Sequence, residues 1–245
     1  MSRLVFALHL LLLLLPLSHG MTGIDLSDPS YTIVQNFECL LQNGYNFTAA
    51  RVYRAEGVFD TNGARAIKIA HDAGIASVDA YVVPCGDAAR CPTPSFQMKL
   101  VVTQLHAQNL SIGVLWLSVE SASSWPSDRN YVRNSILQLA NQASAMSVKV
   151  GIFTSSEYWN EIMGKDWSDL AHLPLWWVKY NGREDFSGFE PFGGWQQPVI
   201  HEYHDRTRVC NMYVRLSWRP DSNGEERRQL FCSLLSCLVM WLFIM

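Results

Sequence analysis

The sequence predicts a single-domain α/β protein, an irregular TIM-like (β/α) barrel of about eight strands with fewer helices. The chain has 245 residues, a length that fits one barrel with a sizeable buried core. Between residues 21 and 220, short runs rich in β-branched and aromatic residues alternate with helical patterns. This alternation indicates parallel strands joined by crossover helices. About eight strands in one domain favour a closed barrel over an open sheet.

The chain begins with a pattern typical of a secretory signal peptide. Arg3 supplies a positive charge, residues 10–15 form an unbroken apolar run, and small residues follow at the usual cleavage spacing. An uncleaved anchor helix is the weaker alternative, because the apolar run is short for a bilayer. We therefore predict that residues 1–20 are removed, that the protein is secreted and extracellular, and that residues 21–220 form the barrel.

The candidate elements follow one another in regular order. The strand candidates are residues 22–26, 48–53, 77–83, 112–119, 149–154, 175–180, 199–203 and 212–218. The helix candidates are residues 31–42, 62–73, 95–107, 128–145 and 156–163. Asp60 or Thr61 is suited to cap the second helix, Gly74 to end it and Pro94 to begin the third. After Tyr180 the helical patterns fade, so we expect the last third of the barrel to be irregular.

The cysteines of the predicted barrel suggest two disulfide bonds, since the protein is expected in an oxidising compartment. We favour Cys85–Cys91 as a local loop staple and Cys39–Cys210 as a link between the first helix and the last strand. The other two connectivities remain open. Residues 46–48 (NFT) and 109–111 (NLS) match N-glycosylation acceptors, which fits a secreted glycoprotein.

Charge and composition restrict the partners. The net charge of −3 gives no reason to expect nucleic acid, and no strong positive field attracts the protein to anionic bacterial surfaces. Residues 201–205 (HEYHD) contain two histidines but lack the spacing of a helical zinc motif, so we expect no metal. We also expect no cofactor and a monomeric protein.

Three acids lie on predicted strands where a barrel could use them. Asp25 ends the first strand, Asp79 lies within the third and Glu120 closes the fourth. Barrels place active residues at the carboxyl ends of their strands, and converging carboxylates are what glycoside hydrolysis requires. An Asp at a strand end is also a common loop cap. Glu120 follows a strongly apolar strand, where burial would raise its pKa and keep it protonated as a general acid.

A series of short motifs runs in order through the predicted barrel. The motifs are residues 21–27 (MTGIDLS), 44–47 (GYNF), 51–53 (RVY), 79–85 (DAYVVPC), 115–120 (LWLSVE), 150–155 (VGIFTS), 174–177 (PLWW) and 191–195 (PFGGW). Together they resemble the animal branch of glycoside hydrolase family 25. The resemblance implies an irregular eight-stranded barrel and N-acetylmuramidase activity on peptidoglycan or a related aminosugar glycan. It also implies that Glu120 donates the proton, Asp25 stabilises the developing charge and Asp79 positions the acetamido group.

Two positions depart from the family pattern. Family members carry Asp-x-Glu where this chain has Ser118 and Glu120, and an acid where it has Arg215. Alternate strand residues share a face, so we expect Ser118 in the substrate-binding pocket, without the missing charge. Arg215 near the site would favour ionised Glu120, the wrong state for an acid. We therefore predict a lysozyme-like protein of innate defence or bacterial digestion with reduced activity, or alternatively an inactive glycan-binding homologue.

Aromatic residues at strand ends are the candidates for sugar contact. Tyr81, Trp177 and Tyr180 occupy such positions, and flat aromatic rings can stack on sugar faces. Ordinary barrel packing is the alternative for aromatic residues of this kind.

The C-terminal tail differs from the barrel in composition. Residues 221–229 form a polar spacer, and residues 230–245 form an uncharged apolar run. This arrangement suggests a lipid-anchor signal that attaches the protein to a membrane. A spanning helix and a tail without a membrane role remain open.

Overall fold

The computed structural model describes residues 20–87 and 89–221. Within it, Thr22–Arg219 form one compact unit. The strands are β1 (Met21–Leu26), β2 (Tyr45–Arg54), β3 (Val58–Phe59), β4 (Ser77–Val82), β5 (Leu115–Ser118), β6 (Val150–Thr154), β7 (Leu175–Val178), β8 (Ile200–Val209) and β9 (Met212–Arg219). The helices are α1 (Val34–Gln42), α2 (Thr61–Asp72), α3 (Pro94–Ala107), α4 (Arg129–Ala145) and α5 (Ser156–Ile162).

All the strands belong to one sheet that closes on itself. The order is β1-β9-β8-β7-β6-β5-β4-β2-β3, and a parallel pairing of β1 with β2 closes an eight-stranded barrel. Of the strands in the described part of the chain, the short β3 alone lies outside the barrel. Around the barrel, neighbouring strands in the series β1, β2, β4, β5, β6, β7 and β8 pair in parallel. Strand β9 is antiparallel to β8. The predicted irregular TIM-like barrel with fewer helices than strands is therefore confirmed.

The barrel interior is packed with aromatic side chains from neighbouring strands. The ring centres of Trp116 and Trp176 lie 5.6 Å apart, and those of Phe153 and Trp176 lie 4.5 Å apart. Gly151 stands beside Trp116 in the β5–β6 register, and a Cβ there would lie 2.4 Å from the indole ring. The residues that alternate with these point outward and form a second apolar layer beneath the helices.

Local sequence signals explain where helices begin and end. The Asp60 side chain accepts a hydrogen bond from the backbone N–H of Asn62, which caps α2, and Asp128 caps α4 in the same way. Pro94 occupies the first turn of α3, where its missing N–H costs nothing. Gly74 follows α2 with φ of +93°, a conformation that favours glycine.

The predicted and observed elements differ mainly at their ends. The first helix begins at Val34, three residues after its predicted start, and β2 begins at Tyr45, three residues before its predicted start. The two-residue β3 was not predicted. The largest difference is β8, which continues to Val209 and forms a long antiparallel hairpin with β9. The polar residues 204–208 lack the apolar alternation of a half-buried strand, so the sequence pattern did not extend the strand.

Both favoured disulfide bonds are confirmed. Cys39 on α1 is bonded to Cys210 at the tip of the β8–β9 hairpin, across a sequence separation of 171 residues. Cys85 is bonded to Cys91 across a separation of 6 residues, within the loop that precedes α3.

The predicted signal peptide and apolar tail lie outside the described residues, apart from Gly20 and Asp221. The proposed processing and membrane attachment therefore stay predictions. Within the described part of the chain, no helix has the length and apolar character needed to cross a membrane.

Candidate active site

The carboxyl ends of the parallel strands form one end of the barrel, which we call the mouth. Asp25 lies near the end of β1, Glu120 follows β5 and Glu202 lies on β8. Arg215 reaches the same end because β9 runs antiparallel to β8. Each of the other three charges shifts the pKa of Glu202, so the four groups form one electrostatic cluster.

Asp25 is fully buried, and its principal partner is Arg215. Nη1 of Arg215 donates a hydrogen bond to Oδ2 of Asp25 at 3.2 Å, and the Tyr81 hydroxyl faces the same carboxyl. Burial raises the pKa of Asp25 above its usual value, although both partners act in the opposite direction. The carboxyl is thus held against a cation rather than left free to stabilise a positive charge on a ligand.

Glu120 lies two residues beyond β5 and is fixed by its surroundings. The Trp125 indole donates to the backbone carbonyl of Glu120 at 3.2 Å, and the Thr154 hydroxyl donates to the carbonyl of Val119 at 2.6 Å. Burial raises the pKa of the Glu120 carboxyl to about 7. A substantial fraction of Glu120 is therefore protonated at neutral pH, as a general acid requires.

Ser118 faces the same side of the chain as Glu120. Its hydroxyl donates to Oε2 of Glu120 at 3.0 Å, which favours the ionised form of Glu120. Arg215 acts in the same direction, as the sequence suggested. Burial is the larger cause, so the expectation that Arg215 would leave Glu120 mainly ionised is not met.

Glu202 is a buried acid that is not among the predicted site residues. Its Oε1 accepts a hydrogen bond from the Tyr180 hydroxyl at 2.9 Å, and Nε of Arg215 lies 3.9 Å from the same oxygen. Burial and the nearby carboxyls of Asp25 and Glu120 raise the pKa of Glu202 well above its usual value. Glu202 belongs to the segment 201–205, which the sequence pattern related only to metal binding, and an acid within a predicted barrel strand (residues 199–203) was the signal that could have identified it.

Arg215 therefore sits among several acids at the mouth. Besides Asp25 and Glu202, it contacts Oδ1 of Asp205 at 3.4 Å. Its side chain is 31% exposed, so part of the guanidinium faces solvent at the mouth. Among residues 20–87 and 89–221, no group of His, Cys, Asp and Glu side chains is arranged to hold a metal ion.

Asp79 lies deeper in the barrel than expected. Its Oδ1 accepts from the backbone N–H of Val114 at 2.9 Å, and its Oδ2 accepts from the indole N–H of Trp116 at 2.9 Å. Val114 lies just before β5. Arg219 lies at the end of β9, and its charge acts on Asp79. Both residues are therefore near the amino ends of the parallel strands. Asp79 is only the third residue of β4, and Tyr81, two residues later, reaches the mouth in its place.

The three predicted sugar-contacting aromatic residues have different positions. Tyr81 is buried beside Asp25. Tyr180 is 46% exposed and lies at the mouth, with its hydroxyl bound to Glu202. Trp177 is buried and stacks on His201 at 4.2 Å between ring centres. Because Trp176 faces the barrel interior, Trp177 faces outward, away from the mouth.

A surface groove of about 600 Å³ lies at the opposite end of the barrel. It is bordered by residues that precede β5 and β6, including Asn109 and Lys149, and none of the residues that line it is acidic. Since catalytic groups of barrels lie at the carboxyl ends of the strands, we place the candidate site at the mouth and not in this groove.

A closed α/β barrel with buried carboxyls gathered at the carboxyl ends of its strands has the architecture of a barrel glycosidase. A carboxyl with a pKa of about 7 among them fits the proton donor of such a site.

Comparisons with known proteins define the family. The family model described as "Lysozyme-like protein 1" matches residues 18–203. Lysozyme-like protein 5 of Caenorhabditis elegans is 34% identical over 216 residues, covering 88% of this chain and 99% of that protein. The protein named Probable GH family 25 lysozyme 2 of Dictyostelium discoideum is 33% identical over 207 residues, covering 84% of this chain and 94% of that protein.

The fold agrees with solved structures of the same family. A family GH25 lysozyme from Aspergillus fumigatus superposes with a TM-score of 0.67 at 18% identity, covering 86% of this chain and 98% of that one. The chain belongs to the glycoside hydrolase family 25 lysozymes and lysozyme-like proteins.

Proposed function

We propose that this chain is a secreted lysozyme-like protein that binds peptidoglycan at the mouth. It hydrolyses the bond between N-acetylmuramic acid and N-acetylglucosamine far more slowly than an ordinary lysozyme. Its role is in innate defence or in the digestion of bacteria. Support comes from membership of the family, from the acids at the mouth and from the disulfide bonds, which are typical of exported proteins.

Glu120 is the proton donor in this proposal. Glycoside hydrolysis requires a protonated carboxyl beside the glycosidic oxygen, and burial holds the pKa of Glu120 at about 7. The proton moves from the Glu120 carboxyl to the leaving oxygen as the glycosidic bond breaks, and the sugar ring develops positive charge. Water then adds to the anomeric carbon and returns a proton to the Glu120 carboxylate. A second carboxyl on the opposite side of the bond is needed to stabilise that charge.

The stabilising charge is the weak part of the site. The contact of 3.2 Å between Arg215 and Asp25 is the observation that carries the proposal, because it offsets the charge of a carboxyl that acts on Glu120. Ser118 offers a hydroxyl where family members have a further carboxylate. Removing one preorganised electrostatic partner typically lowers a rate by about a hundredfold or more.

A cell-wall assay tests the proposal. The purified protein is incubated with purified peptidoglycan, turbidity is followed, and soluble products are analysed by mass spectrometry. We expect slow release of glycan fragments with muramic acid at the reducing end, and none from Glu120→Gln, which retains size and binding. Clearing at ordinary lysozyme rates would show that the idea of a weakened site is wrong.

The second candidate function is binding of the glycan without hydrolysis. The replacement of one acid by Ser118 and the pairing of Asp25 with Arg215 favour this candidate, because both reduce the negative charge available to stabilise a positive sugar ring. In the same assay the protein would sediment with peptidoglycan but release no fragments. A protein that neither sediments nor releases fragments would exclude both functions and favour a purely structural secreted barrel.

A further inference from the structure

The β8–β9 hairpin forms a wall that rises beyond the barrel mouth. On its β7 side, β8 pairs in register only as far as Glu202, whereas its pairing with β9 continues to Val209 and Met212. The tip is fixed by the bond between Cys39 and Cys210. The hairpin is thus an anchored element of the mouth.

One face of β9 continues the inner surface of the barrel along this wall. The Ser217 hydroxyl accepts a hydrogen bond from the indole of Trp176 inside the barrel, at 3.2 Å. Arg215 is next on the same face and lies in the mouth, and Tyr213 follows it, since alternate strand residues share a face. Met212 and Val214, on the other face, are buried in the apolar core. Tyr213 therefore lies about 7 Å along the strand beyond Arg215, on the face of β9 that carries Arg215.

The aromatic ring of Tyr213 is restrained by a contact with a neighbouring cation. Its side chain is 55% exposed, and the guanidinium of Arg206 lies 4.4 Å from the ring centre. A stacked guanidinium restrains the ring and covers one of its faces. Tyr180, whose hydroxyl is bound to Glu202 at the mouth, is a second exposed aromatic residue.

We propose that Tyr213, held by Arg206, is an additional sugar-binding platform that extends the glycan site beyond the mouth. The occupant is a further aminosugar ring of the same glycan strand that places its scissile bond beside Glu120. This inference therefore rests on the proposed function. A pyranose ring has an apolar face that packs on an aromatic ring, and such a contact needs no charge on the ligand. The platform contacts long glycan strands but not a disaccharide that fills only the mouth.

Binding of peptidoglycan glycans of two lengths tests the platform. Peptide-free disaccharide and octasaccharide from peptidoglycan are titrated calorimetrically into the wild type and into Tyr213→Ala, Tyr213→Leu and Tyr213→Phe. We expect Tyr213→Ala and Tyr213→Leu to weaken octasaccharide binding about 3- to 10-fold and to leave disaccharide binding within about twofold. Tyr213→Phe keeps the ring and is expected to bind both glycans like the wild type.

Phe96→Ala is the matched control, because Phe96 on α3 is also 55% exposed but lies on the outer layer of helices. It is expected to change neither affinity. Wild-type octasaccharide affinity in Tyr213→Ala and Tyr213→Leu would overturn the platform while leaving the proposed function intact. An equal loss for both glycan lengths would also overturn it. If the wild type binds neither glycan, the proposed function fails and the platform with it.

Discussion

Nη1 of Arg215 lies 3.2 Å from Oδ2 of Asp25 inside the barrel mouth, although 190 residues separate them in the chain. The same guanidinium lies near the buried carboxyl of Glu202. One cation thus serves two buried acids, and burial raises the pKa of both despite the nearby positive charge. The cation therefore offsets the negative charge that Asp25 and Glu202 would otherwise present to a ligand.

Restoring a carboxylate beside Glu120 should increase hydrolysis. In Ser118→Asp, the new charge lies on the side of β5 that faces Glu120 and stabilises positive charge on the sugar. We expect a gain of about 10- to 100-fold in the rate of fragment release from peptidoglycan. This gain is smaller than the usual rate effect of one electrostatic group, because Arg215 still neutralises Asp25. Ser118→Asn has a similar size without charge and is expected to gain nothing. Equal rates for the two variants would contradict the assignment of the missing charge.

Removing the cation should destabilise the folded protein in a pH-dependent way. Arg215→Met leaves Asp25 and Glu202 without their cationic partner, which costs about 3 kcal/mol of unfolding free energy when they are ionised. Because Arg215 lowers the pKa of both acids, its loss raises those values further. The cost is therefore small near pH 4 and grows as the pH rises, as measured by urea denaturation at pH 4 and pH 7.5.

The control for this variant is Lys68→Met, which breaks the exposed ion pair with Asp72. Exposed pairs contribute at most about 1 kcal/mol, so we expect a small change at either pH. A similar loss for Lys68→Met and Arg215→Met would mean that Arg215 does not compensate buried charge.

Glu120 should reduce stability at alkaline pH. Its pKa is about 7 in the folded protein against 4.5 for an ordinary glutamate, so the folded state binds the proton more tightly. The stabilisation from this proton is complete below pH 4.5 and is lost as the pH rises through about 7. Glu120→Gln should therefore match the wild type near pH 4 and exceed it by ~3 kcal/mol near pH 8.5.

The measurement is the free energy of unfolding by urea at the two pH values. Glu38→Gln, on the exposed side of α1, is the control and should change stability by at most about 0.5 kcal/mol, because surface substitutions of this kind have small effects. If Glu120→Gln gave the same difference from wild type at both pH values, the elevated pKa of Glu120 would be wrong.

The two disulfide bonds should contribute unequally to stability. Cys39–Cys210 closes a loop with a separation of 171 residues and Cys85–Cys91 one of 6 residues. By the loop-entropy argument, the double serine variant of the first pair loses about 5 kcal/mol and that of the second about 2 kcal/mol. Urea denaturation of the two double variants measures the difference. Equal losses would show that chain entropy does not control the effect.

The sequence predicted the fold class because its evidence is local. Alternating strands and helices, the cap at Asp60 and the stop at Gly74 all depend on a few neighbouring residues. The continuation of β8 to Val209 escaped prediction because its outer part is stabilised by pairing with β9 and not by an apolar pattern of its own.

The candidate site was predictable in part. Glu120 and Asp25 stand at strand ends, and the apolar strand before Glu120 signalled its burial. Asp79 and Trp177 were expected at the mouth, but Asp79 lies deeper in the barrel and Trp177 faces outward. The sequence alone does not fix the position of a residue along a strand relative to the barrel mouth, or the face of the sheet to which its side chain points. Glu202 was missed because nothing in the neighbouring residues marks it as a partner of Arg215.

The sequence by itself determined that this protein is a barrel, which disulfide pairs are favourable and which family motifs are present or replaced. Only the tertiary structure decided that Arg215 pairs with Asp25, that Glu202 joins them and that Asp79 does not. The physical reason is that burial and long-range charge pairing depend on closure of the barrel, which brings together residues that are far apart in the chain.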